Sequence, residues 1–353
     1  MVYLINILLL TIESAVLARY EHRINSKKVF CTLATIQWVL ISGLRGLSVG
    51  ADTRGYKTGF DLREYQSWDY LFRDFIDILF KDGDGKDPGY AILEKAFHLI
   101  SDSYQGWLMF IAILFTVSMG IWIYKNSKDP YLSFLLYSAL FYAFFAITGL
   151  RQTIATAIVV FIGYKFLKER KLIKFLICMC IAYPIHKSSM VYALLYIVSF
   201  IPIDKKYIFA VVVATVLMFI FKNQVTDFLA LSTGYEDYVG QYEGAGTYNF
   251  TFMYCGLFAV AAWRFKEAKL GNDNWDIEFH ALLLGMMFIP LTYVRPSAMR
   301  IVQYFSVYLM LIIADIAESF EGKDKLIVHG AMIGVLTLLL IMSNPQYVFF
   351  WQE

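Results

Sequence analysis

Twelve stretches of fourteen to twenty largely apolar residues recur along the chain. They fall near 1–18, 29–44, 105–124, 131–149, 152–167, 172–185, 189–203, 207–221, 250–263, 279–294, 298–317 and 326–343. Inside a bilayer every backbone N–H and C=O needs an internal partner, which leaves only helices and closed barrels. These stretches are continuous rather than alternating, so they read as helices. Charged residues make up 17% of the chain, against roughly 25% in soluble domains. The expected fold is an all-α polytopic membrane protein of about twelve transmembrane helices, one integral membrane domain over residues 1–353. Residues 1–18 lack the basic start of a secretory signal and read as a first span.

Orientation follows from lysine and arginine. Connections after odd-numbered stretches hold 18 of the 31 basic residues, and the short connections after even-numbered ones hold five. That places both termini outside the cell membrane, with a large extracytoplasmic loop over 45–104 and a second over 222–249. The net charge of +2 is too near neutral to suggest a nucleic-acid partner. Cys31, Cys178, Cys180 and Cys255 all lie in apolar stretches, where cysteine behaves as a small apolar residue, so neither a disulfide framework nor a structural metal is expected.

The long loop contains WDYLFRDFIDILF. Trp68, Leu71, Phe72, Phe75, Ile76 and Leu79 share one helical face, and Asp69, Arg73, Asp77 and Lys81 alternate in sign on the other. This helix suits either the membrane interface or a packing place on neighbouring helix ends. In KDGDGKDPGY, the aspartates Asp82, Asp84 and Asp87 do not follow calcium-loop spacing, so a turn before a helix starting near Pro88 is expected. His98 on that helix reads as a surface or packing residue. The second loop mixes Asp227, Glu236, Asp237 and Glu243 with Tyr235, Tyr238, Tyr242 and Tyr248. That mixture suits sugars or an ordinary tyrosine-rich interface.

Charge beside the hydrocarbon is costly and marks functional candidates. Six such residues fall on the outer side: Arg45, Arg54, Arg151, His186, Arg295 and Arg300. Together they ask for an anionic ligand at the outer leaflet. Residues 43–60 add Asp52, Thr53, Tyr56 and Lys57, a set whose guanidiniums match phosphate oxygens and whose carboxylate, hydroxyl and phenol match sugar hydroxyls. Gln152 and Gln303 sit beside the arginines. A lipid diphosphate between helices fits this set. No phosphate-cradling glycine loop and no persuasive metal motif is present, so metal-independent chemistry without a cofactor is expected, with arginines neutralising a leaving diphosphate. An acceptor hydroxyl needs a base; His186 is the first candidate and Asp52 the second. Glu13, within the first span, is expected to pair with a buried arginine, and Asp315 to be structural.

At these residues the chain resembles the EpsG/Wzy-type polysaccharide polymerases. The resemblance rests on GLR-x3-VG-x-DT-x2-Y (Gly43 to Tyr56), PGY-x2-L (Pro88 to Leu93), LRQ (Leu150 to Gln152), HKSS (His186 to Ser189), R-x4-R-x3-YF (Arg295 to Phe305) and NP-x4-FW (Asn344 to Trp351). It implies a helical bundle similar to the GT-C architecture in the bacterial inner membrane. It implies a glycosyltransferase that joins undecaprenyl-diphosphate-linked oligosaccharide units into O-antigen, capsular or exopolysaccharide. Donor and acceptor would both be lipid-linked, with membrane lipid and a chain-length regulator protein as further partners. By position, Arg45, Arg151, Arg295 and Arg300 would hold diphosphate. Thr53, Arg54, Tyr56, Gln152 and Gln303 would shape the sugar site together with Asp52. An O-antigen ligase would use the same donor. A flippase or other transporter needs charge deep in the bundle, whereas here it gathers at one face. A membrane O-acyltransferase working through one histidine would need a cytoplasmic acyl-donor route, for which no motif is present.

Overall fold

Capping residues set where the helices begin. Asn25 accepts the Lys28 N–H, Ser67 the Tyr70 N–H and Ser103 the Gly106 N–H, each satisfying an otherwise orphaned donor. In the computed structural model, which describes all residues except 21–24, 82, 84, 234–238, 243, 245–246 and 344–345, the chain is all helical apart from one isolated bridge between Arg45 and Phe349 among the described residues. The order begins α1 (Val2–Ala18), α2 (Ser26–Gly43), α3 (Thr53–Tyr65), α4 (Trp68–Phe80), α5 (Pro88–Phe97) and α6 (Tyr104–Asn126).

Among the described residues four helices are long and apolar enough to cross a membrane: α6, Leu150–Lys168, Trp275–Tyr293 and Gly322–Ser343. Two bent pairs raise the number to six. Lys205–Ile220 turns by 83° into the next helix, and Pro296–Ser306 turns by 48° into Leu309–Glu318. The structure therefore accounts, by length and composition, for four to six of the twelve expected crossings. The other apolar stretches include helices of 10–17 residues such as Leu172–Ala182 and Lys187–Val198. The shortfall has a local cause. Stretch 131–149 passes through π-helical turns and leaves helical geometry at Phe145 and Ala146, whose amide is taken up by Thr153 Oγ1 at 2.9 Å. Hydropathy cannot register such a break, because its residues are as apolar as those of an unbroken helix.

Apolar faces gain little by meeting each other rather than lipid, so packing and hydrogen bonds between helices carry the association. Trp38 Nε1 donates to Ser138 Oγ at 3.2 Å, Ser133 Oγ to the Met310 carbonyl at 2.6 Å, and the Tyr192 and Tyr308 hydroxyls meet at 2.6 Å, all buried. Trp38, Phe115 and Tyr137 form an aromatic core beside them.

The connections sort into two ends. At one, Lys27 reaches the Ser127 carbonyl, Lys168 reaches Asn126, Arg170 reaches Ser199 and Arg264 reaches Ser319. These residues lie in or beside the connections after the first, third, fifth, seventh, ninth and eleventh apolar stretches. The connections after the even-numbered stretches meet at the other end, and the candidate site lies there. The alternation of charge read from the sequence thus reappears as spatial segregation.

Candidate active site

The segment between α2 and α6 covers the second end and is held down at both sides. After α2 the chain is strapped to the C-terminal residues: Gly46 N–H donates to the Val348 carbonyl at 2.8 Å and Phe350 N–H to the Leu44 carbonyl at 3.0 Å. The Glu353 carboxylate accepts the Leu47 and Ser48 amides at 2.7 and 2.9 Å. Gly50 then turns with φ +97°, and an added Cβ would lie 2.5 Å from the Ile147 carbonyl oxygen, so the motif needs glycine there. Helix α4 buries Leu71 and Ile78 but leaves Phe72, Ile76 and Phe80 exposed, so it packs along one edge of its apolar face.

Helix α5 docks onto the turn that carries His186. Pro88 starts it, as expected, with Asp87 in the left-handed region at φ +51°. Gly89 N–H donates to the Pro184 carbonyl at 2.8 Å, and a Cβ on Gly89 would sit 2.9 Å from that carbonyl carbon. This close approach carries the Asp87 carboxylate under the histidine. Its Oδ2 lies 3.1 Å from His186 Nδ1 and 3.3 Å from Arg151 Nη1, and its Oδ1 accepts the Lys187 amide at 2.9 Å. Burial alone would raise the Asp87 carboxyl. The hydrogen bond and charge of His186, the Lys187 amide and the Arg151 guanidinium outweigh it and hold the group below its ordinary value. An ionised carboxylate only accepts, so His186 Nδ1 donates to it, and in the neutral form of the ring the lone pair is then on Nε2. His186 is 3% exposed, and its Nε2 has no hydrogen-bond partner among the described residues.

His186 lines a cavity of about 470 Å³ together with Lys187, Arg295 and Arg300. Arg300 lies 3.9 Å from Asp52, and its carbonyl accepts Gln152 Nε2 at 2.9 Å. Arg151 lies over the rings of Tyr56 and Tyr90 at 5.7 and 5.5 Å, a cation–π bracket beside the histidine. The structure therefore gathers His186, Arg151, Arg295, Arg300, Asp52, Tyr56 and Gln152, with Gln303 buried in the helix below. It separates three expected residues from them. Arg45 is fully buried; it donates to the Ser42 carbonyl and sits among Tyr3, Tyr104, Tyr347 and Tyr90, away from the cavity wall. Burial pushes its guanidinium down to about 10, against the opposing pull of the tyrosines, so it remains a cation at neutral pH. Thr53 is buried, and its hydroxyl donates to the Val49 carbonyl at 2.7 Å. Arg54 is exposed on α3.

Other expectations resolve locally. Glu13 accepts from Gln37 at 2.5 Å, with no arginine partner among the described residues. His98 packs as expected, stacked on Phe60 at 4.1 Å. Asp315 is buried beside Asn272 and Glu278 and does not line the cavity. The carboxylates of Asp129 and Glu318 meet His329 at 3.2 and 3.3 Å, with Lys325 on Glu318 at 2.6 Å. That cluster closes an ion-pair network at the basic end. Of the second-loop residues, Tyr235, Glu236, Asp237, Tyr238 and Glu243 lie outside the described residues, as do Asp82 and Asp84.

Residues Asp87, Lys187 and Glu94 belong to the site region, and the sequence analysis gave none of them a role there. Glu94 is 2% exposed one face-turn below Tyr90, with Arg63 at 3.4 Å. Burial raises its carboxyl to about 7, more than the Arg63 charge lowers it. A raised carboxyl favours the protonated fold, so its stabilising share is complete below about 4.5 and is lost as pH rises through about 7. Thermal unfolding in detergent should show wild type losing stability between pH 5 and 8 relative to Glu94→Gln, whose curve is flatter.

No curated protein and no solved structure is significantly similar to the chain. The sequence profile of the EpsG family matches residues 28–350, a range that contains every cavity and site residue described above. The chain therefore belongs to the EpsG family.

Proposed function

We propose that the protein is a membrane glycosyltransferase of the polysaccharide-polymerase type. It joins undecaprenyl-diphosphate-linked oligosaccharide units at the outer face of the bacterial cytoplasmic membrane, with both termini on that side. The observation that carries this reading is a buried imidazole whose Nδ1 is committed to Asp87 and whose Nε2 has no partner among the described residues, on the wall of a cavity shared with Lys187, Arg295 and Arg300. In this reading His186 Nε2 takes the proton of an acceptor hydroxyl. The acceptor oxygen bonds to the anomeric carbon of the donor as that carbon's bond to diphosphate oxygen breaks, and the electron pair leaves with the diphosphate. Lys187, Arg295 and Arg300 stabilise the charge that develops there, and the imidazolium then returns its proton to solvent. Arg151, set over Tyr56 and the buried Tyr90, presents a cation for a sugar beside the Tyr56 phenol, and Asp52 steadies Arg300.

The segregation of connections supports placing this end outside, since the opposite end gathers the lysines and arginines. The test is the glycan profile of a deletion strain, with and without the wild-type gene. Single repeat units in place of long chains, restored by the gene, support the polymerase. Long lipid-linked polymer accumulating in the deletion strain would make it a ligase, and units trapped on the inner leaflet would make it a flippase.

A further inference from the structure

The apolar arc of α4 is wider than the bundle uses. At about 100° per residue, Leu71 and Ile78 project within about 20° of each other. They are the two residues of the helix that are buried. Phe75, Trp68, Leu79, Phe72 and Ile76 follow in that order over roughly the next 140°. Phe72 and Ile76 are exposed, and the other three are partly exposed. Tyr70, Arg73, Asp77 and Lys81 fill the far side, with Arg73 paired to Asp69 and Lys81 to Asp77 at 2.9 Å. The helix thus has one sector against protein, one polar sector, and an apolar sector that the described residues leave open.

What lies beside that open sector follows from α5, on which α4 packs. The last residue of α5 is Phe97, whose ring lies 5.7 Å from that of Phe110. Phe110 falls in the second turn of α6, about 9 Å along its axis. It heads a stripe of exposed residues, Phe110, Ile113, Val117 and Ile121, on a helix long and apolar enough to cross a membrane. Such a stripe faces lipid. Leu99 and Ile100, 75% and 80% exposed, carry the same apolar surface past the start of α6. The α4–α5 pair therefore reaches the lipid-facing rim at the level of the first turns of α6. An interfacial helix buries its apolar face roughly 5–10 Å into the headgroup–acyl boundary, which is that level. The paired charges on the polar side leave apolar burial, rather than attraction to anionic headgroups, as the driving term.

We propose that α4 docks on the lipid surface: its open apolar sector lies in the headgroup–acyl boundary of the leaflet at the cavity end, continuous with the lipid-facing stripe of α6. The proposal does not depend on the polymerase reading. The test places an environment-sensitive fluorophore on single introduced cysteines of the full-length protein in nanodiscs. Cys180→Ser and Cys255→Ser first remove the two exposed native thiols. Quenchers are iodide in the water and lipids carrying a nitroxide either near the headgroup or at the acyl end. On Phe72→Cys and Ile76→Cys, the headgroup-labelled lipid should quench at least about twofold more than the acyl-end lipid, and iodide should quench little. On Tyr70→Cys, about 160° round the helix from Phe72, iodide should quench and neither lipid should. On Val117→Cys, deep in α6, the order of the two lipids should reverse. Should either of the first two variants fail to insert, the other reads the same sector, and Leu99→Cys reads the surface beside it. Iodide quenching at positions 72 and 76 as strong as at 70 would put the sector in water and overturn the proposal. Protection there from iodide and from both lipids would overturn it too, showing a second copy or another protein seated on α4 instead.

Discussion

A strain carrying only His186→Ala makes single repeat units and no long polymer, with the protein present in the membrane at wild-type level. The backbone of this turn does not depend on the imidazole. His186 N–H donates to the Ala182 carbonyl at 2.9 Å, and its own carbonyl accepts the Ser189 amide at 2.9 Å. Without the ring, Asp87 keeps the Lys187 amide and Arg151, so no buried carboxylate is left bare. The fold should therefore persist while the base is lost. A positioned general base contributes roughly 10²- to 10⁴-fold to rate. A polymer built from many successive transfers amplifies such a loss into the absence of long chains. The measurement is a gel profile of surface glycan beside an immunoblot of the membrane fraction. Wild-type chain lengths with a stable His186→Ala protein would remove the histidine from the chemistry.

The parts of the site that could be read from sequence share one property: they are charges where an apolar stretch should continue. Arg151, His186, Arg295 and Arg300 each interrupt or border such a stretch, and the cost of placing charge there makes them visible. Asp87 had no such contrast. It lies in a glycine- and aspartate-rich turn, 99 residues from His186, where a carboxylate is ordinary. Only the docking of Gly89 against Pro184 turns it from a loop residue into the partner of the histidine. Arg45 shows the converse. Its position at the end of an apolar stretch drew attention, yet the backbone there bends it inward among tyrosines instead of toward the cavity. The expected crossings and the helices long enough to make them differ in number for a related reason. Composition reports where a helix would be soluble in lipid, whereas π-helical turns and bends of 48° and 83° decide where one helix stops.

Asp87→Asn should cost nearly as much polymer as His186→Ala, and by a different route. Asparagine tolerates the left-handed conformation about as well as aspartate, so φ +51° gives no reason for the loop to rearrange. What changes is the number of acceptors. The carboxylate serves the His186 ring, the Lys187 amide and Arg151 at once, and a carboxamide offers a single acceptor oxygen. If that oxygen stays on the Lys187 amide, the NH₂ group faces His186 Nδ1 and makes it an acceptor. The ring proton then moves to Nε2, the atom proposed to receive the acceptor proton. If the oxygen turns to His186 instead, two N–H groups are forced against each other at Lys187. The first outcome leaves a folded protein with the wrong tautomer, and the loss should be roughly 10²-fold or more in transfer rate. A purely structural role for Asp87 predicts something else: a lowered unfolding temperature and less protein in the membrane, with residual activity proportional to what remains. Measuring transfer per folded molecule, together with the ¹⁵N shifts of the imidazole that report its tautomer, separates the two. An Asp87→Asn protein of normal abundance, with wild-type turnover and the proton still on Nδ1, would show that the carboxylate only fastens α5 to the bundle.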